Sequence, residues 1–214
     1  MGDRSIIYRT SGRAPVDFAA WRQWGDLSRS FGTDVLELLL VVELARRGGA
    51  LSRAAVSEAL AVDAAELSRL INRAEEAELV FRRSEMDRRC VSLELLDRGW
   101  DMAEEALSLG GGAVSGNVAA ETSVSGSGRV PASDAGLSGE TLAARCLVVN
   151  KQLRIMRRDY AITFAQAVCL RAVAQLNLRP EDPSAATQIE RLTGVCRTTA
   201  RTALSRLIAR GFFG

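Results

Sequence analysis

Arginine side chains and small hydroxyl side chains recur in two separate stretches of this 214-residue chain. Guanidinium and hydroxyl groups donate hydrogen bonds to phosphate oxygens and to base edges in the major groove of DNA. We therefore predict two DNA-contacting sets, although most arginine runs are only solvated surface. The first set is Ser68, Arg69, Asn72, Arg73, Arg82, Arg83, Asp87, Arg88 and Arg89. The second set is Arg197, Thr198, Thr199, Arg201, Thr202, Ser205 and Arg206.

Catalysis and metal binding are disfavoured by the residue types that the sequence lacks. There is no histidine, which is the commonest general base. The four cysteines, Cys90, Cys146, Cys169 and Cys196, are widely spaced, whereas zinc needs about four nitrogen or sulfur ligands brought together. No phosphate-binding loop or cofactor fingerprint is present. We expect no enzyme, no metal site and no cofactor.

One cysteine has a sequence environment that could make it reactive. Cys196 stands at a predicted helix start beside Arg197, and both a helix N-terminus and a neighbouring cation lower a thiol pKa. Cys196 could therefore be a redox sensor. The alternative is an ordinary packing residue, which is the usual role of a free cysteine.

The first set of candidate residues falls on a predicted helix-turn-helix. A short amphipathic segment from Val56 to Leu60 meets a turn at residues 61–62, and a second helix follows. We predict that Asp63 and Glu66 open this helix as an acidic capping box. Its apolar residues recur at helical spacing and leave the candidate residues on the other faces.

A β-hairpin is predicted directly after the second helix. One strand begins at Leu79, the charged tip holds residues 87–89, and the return strand is formed by residues 91–93. A further helix, residues 97–107, follows. Helix, turn, helix, two-stranded wing and helix together describe a winged helix-turn-helix.

The detail of this segment resembles the MarR family of multiple-antibiotic-resistance regulators. The resemblance lies in a wing with Asp-Arg-Arg at residues 87–89, then Val-Ser-Leu at 91–93 and a helix opened by Leu-Asp-Arg-Gly at 96–99. It implies a transcriptional regulator that binds double-stranded DNA through the second helix and the wing. It also implies a small-molecule effector, whose pocket Trp21, Trp24 and Trp100 could line. Ordinary core packing is the commoner role of tryptophan.

Composition divides the chain into four segments. Residues 1–14 form a flexible arm, and residues 15–107 form the first winged-helix domain. Residues 108–140 hold eight Gly, seven Ser and no aromatic residue, which is typical of a linker. Residues 141–214 form a second winged-helix-like domain that lacks a complete wing.

The second domain is predicted from an internal repeat. One ungapped shift aligns Phe31 with Phe164 and Arg73 with Arg206, and the apolar positions between them match throughout. We call this pairing of positions the repeat alignment. MarR proteins are ordinarily homodimers, so two copies in one chain predict a mainly α, tandem winged-helix protein that forms an intrachain pseudo-dimer. A homodimer of whole chains is the alternative.

Charge suggests that the two copies are unequal. The net charge is only +2, so DNA affinity must come from a local basic patch. Ala64, Ala65 and Glu66 occupy the first helix turn that would meet bases, and a carboxylate there repels phosphate. The alternative function is a degenerate tandem module that mediates protein–protein interaction. We expect no membrane segment and a cytoplasmic location, because the longest apolar run is too short to span a bilayer.

Overall fold

Helices dominate the structure, and a small antiparallel sheet lies in the first half. The structure is a computed structural model that describes residues 15–84, 91–108 and 138–213. The first half contains α1 Phe18–Ser30, α2 Val35–Arg46, β1 Ala50–Ser52, α3 Arg53–Leu60, α4 Ala64–Glu76, β2 Val80–Ser84, β3 Val91–Leu95 and α5 Asp97–Ser108. The second half contains α6 Gly139–Asp159, α7 Phe164–Leu176, α8 Ala185–Thr193 and α9 Arg197–Ala209.

The predicted helix-turn-helix is α3 and α4. Ala61 ends α3 in the left-handed conformation, with a φ of 53°, and produces the sharp turn into α4. The stripe of α4 that faces the core consists of Leu67, Leu70, Ile71 and Ala74. The spacing of these residues follows the helical period that identified the helix.

The predicted capping box at the start of α4 is half wrong. The Asp63 carboxylate accepts a hydrogen bond from the Glu66 amide at 2.8 Å, as expected. The Glu66 carboxylate does not return to the Asp63 amide, because it binds Arg154 and Arg157 of α6 instead. Complete capping boxes occur at the start of α2, from Asp34 with Glu37, and at the start of α7, from Thr163 with Gln166.

The wing is a three-stranded antiparallel sheet in the order β1-β3-β2. Val80 of β2 pairs with Leu95 of β3, and Leu51 of β1 pairs with Leu93. Strand β1 was not predicted, because a strand this short cannot display a periodicity. The wing tip, residues 85–90, lies outside the described residues.

The pair formed by α1 and α6 contributes to two hydrophobic cores. In the first core, Trp24 of α1 and Cys146 of α6 pack with α2–α5. In the second core, Trp21 of α1 and Leu153 of α6 pack with α7–α9. Each helix of the pair therefore completes the core of both halves.

The repeat alignment needs a correction in its first part. Helices α4 and α9 both have 13 residues and begin at positions that the alignment pairs. The alignment places Asp34, the N-cap of α2, on Ala167, whereas the N-cap of α7 is Thr163. The predicted pairing of Val35 with Val168 is therefore wrong by about one helical turn. Apolar residues recur every turn, so the apolar positions matched despite this error.

The predicted segment boundaries can be compared with the helix ends. Helix α5 extends through Ser108, and Ser138 caps α6, so both ends of the Gly/Ser-rich segment are helical. The arm, residues 1–14, and the central residues 109–137 lie outside the described residues. Across the described ranges, no helix combines the length and the apolar character needed to cross a membrane.

Two glycines provide a matched test of how closely α5 and α6 pack. A Cβ on Gly139 would overlap the backbone carbonyl oxygen of Ala106, whereas a Cβ on Gly25 would meet its nearest atom at 3.7 Å. We expect Gly139→Ala to destabilise the protein by about 1–3 kcal/mol. Gly25→Ala should instead stabilise it by about 0.5–1 kcal/mol, because alanine favours a helix interior. Urea unfolding measures both, and equal effects would contradict the close contact.

Candidate nucleic-acid interface

Helix α9 presents the second predicted set on one exposed surface. Its buried stripe, Ala200, Ala203, Leu204 and Leu207, packs against α7 and α8. All seven predicted residues of the set are exposed, from Arg197 to Arg206. Among the described residues, no carboxylate pairs with the guanidinium groups of Arg197, Arg201 or Arg206. We call this exposed surface of seven residues the α9 face.

The N-terminus of α9 combines a favourable helix charge with one nearby acid. The first turn of α9 holds no acidic residue, and backbone amides at a helix N-terminus carry about half a positive charge, which favours anions. The Glu190 carboxylate of α8 offsets part of this charge, because it accepts from the Arg197 amide at 3.1 Å. A groove of about 200 Å³ runs between α9 and the start of α7, where Arg206 lies beside the neutral side chains of Thr163 and Gln166. The α9 face is therefore suited to contact a polyanion.

The corresponding arginine of α4, Arg73, is neutralised within the chain. Its Nε donates to Glu37 at 2.5 Å, and its guanidinium also pairs with Asp34. The hydrogen bond with Glu37 raises the pKa of Arg73 above its ordinary value. Both carboxylates belong to the capping box of α2. Arg73 is therefore less available to DNA than the sequence predicted.

Other members of the first set are also paired inside the molecule. The Ser68 hydroxyl donates to the Ala64 carbonyl at 2.8 Å and accepts from Arg53 at 2.5 Å. Arg82 pairs with Glu75 at 2.8 Å and donates to the side chain of Asn72, and Arg83 pairs with Glu94 at 3.1 Å. These pairs are largely exposed, so each contributes little to stability.

The remaining members of the first set are one arginine of α4 and the residues of the wing tip. Arg69 is exposed, and no described residue pairs with its guanidinium. Asp87, Arg88 and Arg89 belong to the wing tip and lie outside the described residues. The structure thus brings Ser68, Arg69, Asn72 and Arg73 onto α4 and Arg82 and Arg83 onto β2, as predicted, but pairs most of them with partners in the same chain.

A polar network joins the first turn of α4 to α6. Arg154 donates to both carboxylate oxygens of Glu66, at 2.5 and 2.8 Å, and Arg157 donates at 3.1 Å. Asn150 accepts from Arg154 at 2.9 Å and donates to the Leu60 carbonyl at 2.6 Å. Asn150 is fully buried and Arg154 is only 8% exposed. We call Glu66, Asn150, Arg154 and Arg157 the Glu66 network.

The Glu66 network was missed by sequence reasoning. The apolar residues of α6 form a seam at helical spacing, and all of them are buried: Leu142, Cys146, Val149, Leu153 and Met156. A usable signal was the pair Asn150 and Arg154, which are one helical turn apart beside that seam and so share a helix face. The partner of Arg154 on α4, Glu66, is 88 residues away in sequence and could not be identified from the pattern.

The cysteines differ sharply in their surroundings. Cys196 is exposed, and its sulfur lies 3.0 Å from the Thr199 hydroxyl, a hydrogen bond that lowers the pKa of the thiol. Burial raises the pKa of Cys169 to about 12 and that of Cys146 further still. Cys146 also donates to the Ala20 carbonyl. Cys90 lies outside the described residues.

The tryptophans pack rather than line an open site. Trp24 is fully buried in the first core. Trp21 contacts Phe164, with ring centroids 5.7 Å apart, and joins the second core. Trp100 covers Gly49 so closely that a Cβ there would overlap its ring. These contacts favour the core-packing alternative over an effector pocket lined by tryptophan.

Comparison with known proteins identifies the region around the helix-turn-helix. A sequence model of the MarR family matches residues 31–89, which span α2, the helix-turn-helix and the start of the wing. Residues 31–89 form a MarR-family winged helix-turn-helix domain. MarR-family proteins are transcriptional regulators and not enzymes, in agreement with the expectation that no catalysis occurs here. Helices α6–α9 lie outside the match.

Comparison with solved structures adds one resemblance. An organohalide-sensing RdhR transcriptional regulator, solved without ligand, shares 18% identity with this chain at a TM-score of 0.38. The alignment covers 42% of this chain and 53% of that one, so this chain spans about half of its length. No curated protein matches the chain in a sequence search.

The contribution of the Glu66 network to stability can be measured directly. The hydrogen bond from Arg154 holds the pKa of Glu66 below its ordinary value. Glu66 therefore stabilises the fold at pH values above the pKa of a glutamate in the unfolded chain, which is about 4.3. This contribution is lost as the pH falls through the lower pKa that Glu66 has in the folded protein. We expect Glu66→Gln to destabilise the protein by about 1–3 kcal/mol at about pH 7.

The pH dependence separates this effect from a simple packing defect. The difference in unfolding free energy between wild type and Glu66→Gln should shrink as the pH is lowered below about 4. Glu104→Gln, on the exposed face of α5, serves as the control and should change stability by less than about 0.5 kcal/mol. A difference that stays constant with pH would show that the Glu66 charge does not matter.

The reactivity of Cys196 is predicted to depend on Thr199. Thr199→Val removes the hydroxyl that stabilises the thiolate, so the thiol pKa should rise and alkylation by iodoacetamide at neutral pH should slow. Peptide mass spectrometry resolves Cys196 from the other cysteines. Thr202→Val, about one turn further along the same exposed surface, is the control. Equal alkylation rates in both variants would exclude a role for Thr199.

Proposed function

We propose that this protein is a transcriptional regulator that binds duplex DNA without catalysis. The observation that carries the proposal is the α9 face, where four hydroxyl side chains and three arginines that no described carboxylate pairs lie on the exposed surface of one helix. The MarR-family domain at residues 31–89 supports the same function independently.

Each part of the α9 face has a role in this proposal. Thr198, Arg201, Thr202 and Ser205 lie furthest from the buried stripe, so they are placed to contact base edges in the major groove. Arg197 and Arg206 flank them and contact phosphates. The wing arginines, Arg82, Arg83, Arg88 and Arg89, contact the DNA backbone beside the groove.

We further propose that the two halves form a pseudo-dimer within one chain. Helices α6–α9 follow the same order as α1–α4, and the contacts between the halves are reciprocal. Asn150 of α6 donates to the carbonyl of Leu60 at the end of α3, and Arg22 of α1 donates to the carbonyl of Arg191 near the end of α8. Reciprocal contacts are the mark of a two-fold interface. Helix-turn-helix dimers place their half-sites about one DNA turn, roughly 34 Å, apart.

Cys196 adds a proposed means of regulation. Its exposed, hydrogen-bonded thiol lies at the N-cap of α9, at the edge of the α9 face. Oxidation there would place a bulkier, more polar group beside the DNA. Cys196→Ser should then keep DNA binding and remove any response to peroxide.

A protein-interaction module is the second candidate function. It is favoured by the internal pairing of Arg73, Arg82 and Arg83, which leaves Arg69 as the free arginine among the described members of the first set. In that case the α9 face would bind an acidic partner rather than DNA. The two candidates differ in their dependence on salt, because DNA binding releases condensed counterions.

The experiment that tests the proposal is fluorescence anisotropy on a duplex from the upstream region of the gene itself, titrated with salt. We expect binding that weakens steeply as salt rises and that exceeds binding to a scrambled duplex. The double variant Arg197→Glu, Arg206→Glu should weaken binding and lower the slope of log K against log salt by about 2, since two phosphate contacts are removed.

A control variant has the same net charge as the double variant of α9. Arg29→Glu with Arg158→Glu changes two exposed arginines on α1 and α6, outside the α9 face, and should leave the salt slope unchanged. Weak binding of the wild type that does not respond to salt would reject the regulator and support the interaction module.

A further inference from the structure

We infer that only one of the two recognition helices contacts bases, so that the DNA target is not palindromic. In this inference α9 makes the sequence-specific contacts, while the first turn of α4 is a structural element held against α6. The inference rests on the proposed function and specifies which part of the protein determines DNA specificity.

The first turns of the two helices carry different side chains. The repeat alignment, which holds for α4 and α9, pairs Glu66 with Thr199 and Asp63 with Cys196. The N-terminal residues of a recognition helix contact base edges, so this turn decides what a helix can bind. The α4 turn holds two carboxylates, and both are paired with arginines of α6. The first turn of α9 holds none of its own, and the Glu190 carboxylate of α8 accepts from its Arg197 amide at 3.1 Å.

The carboxylate of Glu66 is also not free to move aside. It accepts two hydrogen bonds from Arg154 and one from Arg157, and Arg154 is anchored in turn by the buried side chain of Asn150. Bidentate pairs of this kind are geometrically specific. The first turn of α4 is therefore held on α6, and a contact with DNA would require the network to break.

The same asymmetry appears one turn before the end of each helix. Arg73 and Arg206 occupy equivalent positions in the repeat alignment. Arg73 pairs with the two acids of the α2 capping box, whereas Arg206 lies beside the α7 capping box, which is built from Thr163 and Gln166. Both boxes cap their helices, but only the first one neutralises an arginine. Arg206 keeps its charge for phosphate.

The consequence concerns the symmetry of the DNA site. A symmetric dimer recognises a palindrome because two identical helices meet two identical half-sites. Here the exposed positions of α4 and α9 differ at Ser68 and Arg201, at Arg69 and Thr202, and at Asn72 and Ser205. Base preferences should be confined to the half-site under α9, and the other half should be held through its backbone.

The first test is selection of binding sites by the wild-type full-length chain from a randomised duplex library. We expect one block of preferred base pairs without an inverted copy of it. A palindromic consensus would overturn the inference and leave the proposed function intact. If the wild type selects no duplex, the proposed function fails and the inference fails with it.

The second test compares two exposed arginines in anisotropy on the selected duplex. Arg201→Ala should weaken binding by about tenfold or more, as expected for loss of a base contact, whereas Arg69→Ala should change it by no more than about twofold. Circular dichroism and thermal unfolding confirm that both variants are folded. Equal losses, or no loss from Arg201→Ala, would overturn the inference.

A third variant places the two acidic residue types of the α2 capping box at the equivalent positions of the α7 capping box. Thr163→Asp with Gln166→Glu gives α7 the capping box that α2 has, and it should pair with Arg206. DNA binding should weaken several-fold, and the salt slope should fall by about 1 as one phosphate contact is lost. Unchanged binding and slope would show that Arg206 makes no phosphate contact and would remove this support from the inference.

Discussion

The association of α1 with α6 is the contact on which the rest of the structure depends. Phe18 and Trp21 of α1 fill the second core, and Leu142 and Cys146 of α6 fill the first. Removing these large apolar side chains from water is the main driving force for folding. Because the core of each half includes side chains from a helix of the other half, the α1–α6 pair fixes the positions of both α4 and α9.

The helix pair also introduces a buried cation, and the fold must compensate its charge. Arg154 of α6 is 8% exposed, and an unpaired charge at such a site costs several kcal/mol. Glu66 supplies the opposite charge from the first turn of α4. An acid that is unfavourable for DNA binding is thus favourable for joining the halves. This explains physically why a carboxylate stands where a recognition helix usually meets bases.

Sequence reasoning succeeded for features that repeat locally and failed for pairings between distant residues. Periodicity located α3, α4 and the wing, and residue type placed the α9 face on an exposed surface. Nothing local showed that Glu37 would neutralise Arg73, 36 residues later in the chain, because both are ordinary surface residue types. The Glu66 network was hidden for the same reason. The one-turn error in the repeat alignment arose because apolar residues recur every turn and cannot fix a register alone.

In the proposed pseudo-dimer both recognition helices belong to one chain, which removes a constraint that a homodimer cannot escape. In a homodimer every substitution occurs twice, so an acid in the first turn of one recognition helix also appears in the other. Here Asp34 and Glu37 neutralise Arg73 without affecting Arg206, because the equivalent residues of the second half are Thr163 and Gln166. In the proposed function, the recognition helix of the first half can therefore pack against the other half, and that of the second half can provide the positive charge that contacts DNA. A chain with a net charge of only +2 can then present on one helix three arginines that no described carboxylate pairs.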